Sequence, residues 1–337
     1  MDNCPTPIRL FVRGFHVECF DIDHGDSTTG LNLEILFLLD DLAAFVALFS
    51  LSSQSLRGEL PMATEGKRPA TICLINQKGG CGKSSTCLHL AGAFVAQGLR
   101  VLLVDVDPQG SISQAFLGPD AVERLSAERT TAALFDDSCL LTDPLSLIQS
   151  TGIEDIWLMP ANHLLAAYNR PSPELGGILQ FALRDLLREL TEFDVILLDC
   201  PPNLYQCSWN AMIAAQHVLI PIPPEDFGTQ GIRAVHQAVA NARVLNPTLR
   251  RLGHLITRCD RRMLVHRAYE ARLREQYGEL VLRTTVPELS AFKVALACRK
   301  PVQMQEPKSA AAGSMRQLAV ELMERIQRRE TMHKEAA

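Results

Sequence analysis

The residues best suited to chemistry in this 337-residue chain are Lys78-Gly79-Gly80-Cys81-Gly82-Lys83-Ser84-Ser85. Glycines at this spacing let backbone N–H groups converge on phosphate oxygens, and a helix starting directly after them adds a favourable dipole. Lys83 is placed to reach β- and γ-phosphates, and the Ser84 hydroxyl can coordinate Mg²⁺. The usual loop has Gly six residues before that lysine, where this chain has Gln77; a second lysine, Lys78, stands at the loop's start instead. A purely structural Gly-rich turn is the alternative, and the position between a strand and a helix argues against it. Three acids could serve such a site. Asp199 follows the apolar run Val195-Ile196-Leu197-Leu198, a place with few structural uses for a carboxylate. Asp105 and Asp107 end a second apolar run, and with Pro108 and Gly110 nearby one of them could simply cap a turn.

Positioning these groups requires strands that end at one level. Thr71–Asn76, Arg100–Asp105, Ile156–Met159, Val195–Asp199, Val218–Ile222, Leu252–Thr257 and Val281–Val286 read as buried strands, most of them separated by segments of helical length. Alternation of this kind predicts an α/β fold, a twisted and mostly parallel sheet flanked by helices. The closing stripe Met315, Leu318, Ala319, Leu322, Met323 and Ile326 has helical spacing and reads as a terminal helix docked on the sheet, with a membrane-binding helix as the sharper alternative.

Composition narrows the classes further. With 47% apolar and 21% charged residues, the chain is no disordered protein. Its ten cysteines include no Cys-x-x-Cys pair, which argues against zinc ribbons, dithiol redox motifs and a disulfide framework, and for a reduced, cytosolic compartment. The nine histidines show no ligand spacing. Cys81 could be a redox sensor at a helix N-terminus or a small side chain filling the turn, and Cys200 and Cys207 read as core. The net charge of −5 is uneven: residues 1–61 hold nine acids and three bases, whereas residues 249–337 hold 18 bases and 10 acids. The basic end suits a polyanion or a solvated face.

Residues 1–61 read as an acidic extension, either preceding the true start at Met62 or disordered, and residues 62–337 as the domain that carries the glycine loop. Within the extension, 31–51 is strongly apolar, but Glu34, Asp40 and Asp41 each cost about 2.5–3.5 kcal/mol near the centre of a membrane span, so an amphipathic helix is the better reading.

The doubled-lysine loop resembles the deviant Walker A motif of the ParA/MinD family of P-loop ATPases. The likeness covers about residues 70–328. Val104-Asp105-Val106-Asp107-Pro108-Gln109-Gly110 resembles the family's switch segment, and its DPQG points to the ParA branch. Phe193 to Pro202 resembles the Walker B strand and its turn, Ile220-Pro221-Ile222-Pro223-Pro224-Glu225 to Gly231 the next strand and helix entry, and Leu318 to Leu322 the last helix; Asp260 and Arg262 match Asp-x-Arg.

The resemblance implies ATP and Mg²⁺ as cofactors and slow ATP hydrolysis. Gly79, Gly80, Cys81, Gly82, Lys83, Ser84 and Ser85 would hold the nucleotide. Ser84 would bind the metal directly and Asp199 through water. Asp107 would position the attacking water, with Asp105 as runner-up or as organiser of the metal shell. Lys78 would cross to the nucleotide of a facing subunit in an ATP-sandwiched homodimer. The implied function is a partition or positioning ATPase, cytoplasmic and nucleoid-associated when ATP-bound, that binds DNA non-specifically and is reset by a ParB-like or other activating protein. Arg258, Arg261, Arg262 and Arg267, with Arg272 and Arg274, are candidate phosphate contacts; i,i+4 ion pairs on a solvated face are the alternative. A MinD-like membrane or cargo-positioning regulator and a metallocentre-assembly ATPase are the competing functions, and no stable membrane insertion is expected. Val286-Pro287-Glu288 departs from the family's frequent Ile-Pro-Arg, and Asn203 and Cys81 replace Ser and Val.

Overall fold

A computed structural model describes residues 8–12, 15–19, 68–136, 139, 144–224 and 229–335. The chain divides into two units, Met1–Glu59 and Leu60–Ala337. In the first, β1 (Ile8–Val12) pairs antiparallel with β2 (Phe15–Cys19), Ile8 opposite Cys19. The helix expected within 31–51 lies outside the described residues.

The second unit is built on a seven-stranded sheet. Its strands are β3 (Ala70–Leu74), β4 (Val101–Asp105), β5 (Gln149–Ile153), β6 (Ile156–Met159), β7 (Val195–Asp199), β8 (His217–Ile222) and β9 (Arg250–Ile256). They lie in the order β5-β6-β4-β7-β3-β8-β9, all pairs parallel except β5–β6. Every residue of β4, β7 and β8 is buried, as expected of parallel strands covered on both faces. Alternate residues enter two separate cores: Cys73, Leu102, Val104, Ile196 and Leu198 on one face, and Ile72, Leu74, Val101, Leu103, Val195 and Leu197 on the other.

The second core is closed by α1 (Lys83–Val95), α2 (Ser111–Leu117), α6 (Ser290–Ala297) and α7 (Ala310–Glu335). The first is closed by α3 (Gln206–Ala214), α4 (Thr229–Leu245) and, through Tyr269 and Leu273, α5 (Leu264–Tyr277). Met315, Leu318, Ala319, Leu322 and Ile326 of α7 are buried in the second core, so the terminal stripe packs on the sheet as expected. Among the described residues, no helix is long and apolar enough to cross a membrane.

Two strand expectations need correction. Residues 281–286 run beside β9, where Leu282 and Val286 donate to His254 O and Ile256 O, but they form bridges rather than a strand. The cause is Glu321 of α7, whose carboxylate takes the backbone N–H groups of Arg283 and Thr284, each at 2.8 Å. Conversely, β5 was not expected. Its sequence Gln-Ser-Thr-Gly-Ile is half exposed and irregular at Gly152, so it carries no apolar period to read.

Candidate functional site

The register of the three central strands sets the site. Leu74 of β3 and Asp105 of β4 both lie level with Asp199 of β7, so both carboxylates and the chain entering the glycine loop meet at the same sheet end. Gly80 and Gly82 adopt φ of +69° and +88°, left-handed values that cost glycine little. Gly82 thereby caps α1, and Lys83, Ser84 and Ser85 occupy its first turn, where N–H groups lack helical partners. Thr257, the residue after β9, clamps the loop by donating from Oγ1 to Cys81 O at 2.7 Å.

Lys83 is 6% exposed, and its ammonium donates to Asn76 O at 3.2 Å and Lys78 O at 3.3 Å. The lysine is thus folded back on the loop's own carbonyls. Lys78 is half-buried; its backbone N–H donates to Asn76 Oδ1 at 3.1 Å.

The three acids sit in different environments. Asp105 is fully buried and saturated: Oδ1 accepts from Asp107 N (3.1 Å), and Oδ2 accepts from Ser113 N (3.0 Å) and Ser113 Oγ (2.7 Å). Burial outweighs these bonds and pushes its pKa up to about 7. Ser113 Oγ also accepts from Ala161 N at 2.9 Å, so Asp105 ties the switch turn to α2 through Ser113. Asp107 is 7% exposed, holds Gln109 N at 3.0 Å and lines the cleft; burial raises its pKa while Gln109 and the Lys83 charge pull it down.

Asp199 is fully buried, yet neither carboxylate oxygen completes a hydrogen bond. Burial drives its pKa well up, and the Asp105 charge adds to this; the nearby Ser84 hydroxyl pulls the other way. A buried carboxylate with both oxygens unsatisfied beside a serine hydroxyl is a donor set fitted to a hard divalent cation.

The glycine loop and Asp107 line one cleft of about 460 Å³, bounded by Gly79 to Thr86, Asp107, Thr257, Arg258 and the apolar wall Val286, Pro287, Leu289, Phe292 and Leu296, with the fully buried Asp199 beside Ser84 and not on the lining itself. Cationic loop, metal-type acid and apolar wall are what a nucleoside polyphosphate needs.

The arginines expected to contact a polyanion are spread out. Arg258 lines this cleft, where its guanidinium donates to Gly80 O and Glu288. Arg261 donates to Thr285 Oγ1, Arg262 pairs with Asp260 at 2.8 Å, and Arg267 is exposed on α5. Arg274 pairs with Glu270 at 2.7 Å, an i,i+4 pair of the solvated-face kind. Cys81 is buried and its thiol is pushed up by desolvation, which removes the redox-sensor reading. Cys200 and Cys207 are buried in the first core. Sequence spacing also missed a histidine contact, His236 to His254, whose Nε2 atoms lie 3.0 Å apart across α4 and β9.

Comparison with known proteins agrees with this geometry. The family model described as an AAA domain matches residues 69–250. The chromosome-partitioning ATPase Soj of Thermus thermophilus is 36% identical over 257 residues, 76% of this chain and 96% of that protein. The chromosome partitioning protein ParA of Myxococcus xanthus is 32% identical over 282 residues, 80% and 92% of the two chains. Cobyrinic acid a,c-diamide synthase from Mycobacterium smegmatis, solved with bound ATP analogue and magnesium, superposes with a TM-score of 0.63 at 28% identity, over 77% of this chain and 96% of that one.

Proposed function

Because the chain belongs to the ParA/MinD family of P-loop ATPases, we propose that it is an ATP-driven partition or positioning switch. The observation that carries this reading is the convergence of Lys83, Ser84, Asp107 and the unsatisfied Asp199 at one end of the parallel sheet. Lys83 and the loop N–H groups would hold the triphosphate, and Ser84 and Asp199 would hold Mg²⁺. Bound Mg²⁺ supplies charge neutralisation at the phosphoryl oxygens, and phosphoryl transfer needs little beyond positioning and such neutralisation. Asp107 orients the attacking water. Lys83 must leave the carbonyls of Asn76 and Lys78 to serve the phosphates, so nucleotide entry exchanges neutral partners for charged ones.

Dimerisation and DNA binding complete the proposal. Lys78, at the entrance of the loop, supplies charge to the nucleotide of a facing copy. The dimer then presents two copies of the basic 249–337 region, which carries 18 bases against 10 acids. Arg261, Arg262, Arg267 and Arg272 are its phosphate contacts. Doubling those contacts raises affinity steeply, and counterion release makes binding fall as salt rises. An activating partner of the ParB kind resets the switch by stimulating hydrolysis.

Equilibrium binding of a labelled ATP analogue tests the core of this reading. Lys83→Ala should abolish binding, whereas Asp107→Ala should bind, dimerise by light scattering, and retain unrelated duplexes equally at low salt. Normal binding by the Lys83 variant refutes the site; a monomeric, ATP-bound Asp107 variant refutes the switch.

A further inference from the structure

Directly after the Thr257 clamp, Arg258 adopts φ of +53°, a left-handed conformation unfavourable for a residue with a side chain. Two bonds of its guanidinium lie at the cleft. Nη1 donates to Gly80 O of the phosphate loop at 3.2 Å, and Nε donates to Glu288 Oε2 at 3.0 Å. The other oxygen of Glu288 takes the Lys293 ammonium at 3.0 Å. All three side chains line the nucleotide cleft. A single carboxylate therefore masks two cations in the space a polyanion must enter.

The group is built to exchange. Arg258 and Glu288 side chains are 44% and 34% exposed, and ion pairs at such exposure contribute little net stability, so a phosphate can displace the carboxylate at small cost. A brace between β9 and α6 would gain more from burial, and the neighbouring pair of Glu321 with Arg325, 3% and 19% exposed, shows what a brace looks like in this fold. Arginine also suits the exchange, because its planar fork matches phosphate as well as carboxylate.

We propose that Arg258 and Glu288 form a nucleotide-responsive latch: Glu288 holds Arg258 against Gly80 until an incoming nucleoside triphosphate takes Arg258 over, releasing Glu288. Glu288 thereby sets both the affinity and the preference for ATP over ADP, since the triphosphate brings more charge against it. Arg258 and Glu288 are positioning residues here. The inference rests on the reading of the cleft as an ATP site.

Equilibrium titration of the full chain with a fluorescent ATP analogue and with ADP tests it. Glu288→Gln should tighten the ATP analogue about fivefold, the scale of removing one like charge in a partly exposed site, and tighten ADP less. That gain should shrink as ionic strength rises. Arg258→Ala should weaken the ATP analogue more than ADP, and Arg258→Lys should recover part of the loss. If Glu288→Gln leaves both affinities and their ratio unchanged while lowering the melting temperature, the pair is a brace and the latch is refuted. If the unaltered chain binds neither nucleotide, the ATP reading itself falls, a result separate from any behaviour of the variants.

Discussion

Replacing Asp199 with asparagine should make the nucleotide-free protein more stable while removing its metal-dependent ligand binding. The Asp199 carboxylate is fully buried, lacks hydrogen bonds at both oxygens and faces the charge of Asp105. It can escape that penalty by taking up a proton, which costs about 1.4 kcal/mol for each pH unit above its ordinary value of 3.8. At pH 7 the penalty is therefore capped at about 4 kcal/mol. The substituted amide is also buried, at about 1–3 kcal/mol, so the net gain at pH 7 is at most about 3 kcal/mol. The sign with pH follows from proton binding. A carboxyl whose folded pKa is raised holds more protons folded than unfolded, so its presence destabilises increasingly as pH rises above 3.8. The advantage of Asp199→Asn should thus be largest at neutral pH and shrink as pH falls, giving way to the amide's own burial cost by about pH 4. Urea unfolding from pH 4 to 8, without nucleotide, measures this. Magnesium and an ATP analogue added at pH 7 should stabilise the parent and leave the variant nearly unmoved. Equal or lower stability of the variant at every pH would refute the account of Asp199 as a strained metal acid.

Other consequences are as specific. Gly110→Ala places a Cβ 2.6 Å from Ala161 O at φ of +60°, and should cost about 2–4 kcal/mol in chemical denaturation while disordering the Asp107 turn. Glu321→Gln removes a 3% exposed carboxylate that serves Arg283 N, Thr284 N and Arg325, and should cost about 2–4 kcal/mol. Its backbone and Arg325 bonds outweigh burial and lower the pKa, so the Glu321 contribution is lost as pH falls below about 4.5; the variant's denaturation curve should converge on the parent's there. Burial, with the His236 charge adding to it, depresses His254 to about 3, so an unfolded chain takes up protons below pH 6.5 that the folded one refuses. Stability should fall with decreasing pH in that window by up to about 1.4 kcal/mol per unit on this account, and His254→Gln should flatten the slope.

The parts of the site legible in sequence were those fixed by local chemistry. Glycine spacing placed the loop, and an acid after four apolar residues placed Asp199 at a strand end, both without knowledge of any partner. Strands with continuous apolar runs, Val195–Asp199 and Ile156–Met159, came out at their observed limits. What failed depended on distant residues. Val281–Val286 has the composition of a strand, but Glu321, 37 and 38 positions away from Thr284 and Arg283, takes the N–H groups of its middle. Arg258 carries no local mark of belonging to the cleft; its left-handed backbone and its bond to Gly80, 178 residues earlier, decide that. The role of Asp105 depended on Ser113 and Ala161, and the pairing of His236 with His254 on the crossing of a helix and a strand.

The capture of residues 283 and 284 by Glu321 bears on solubility. A seven-stranded sheet has two margins at which another chain could add a strand and seed an aggregate. At the β9 margin, residues 281–286 cover the strand, and their own N–H groups at Arg283 and Thr284 are turned into a carboxylate. Arg325 closes the same margin by donating to the carbonyls of Leu252, Glu279 and Val281. At the other margin, β5 is short, polar and broken in register, with Gly152 at φ of +75°. Both margins are thus poor templates for strand addition, and ordered assembly of this unit is left to its side-chain surfaces, whose contacts ligands can make and break.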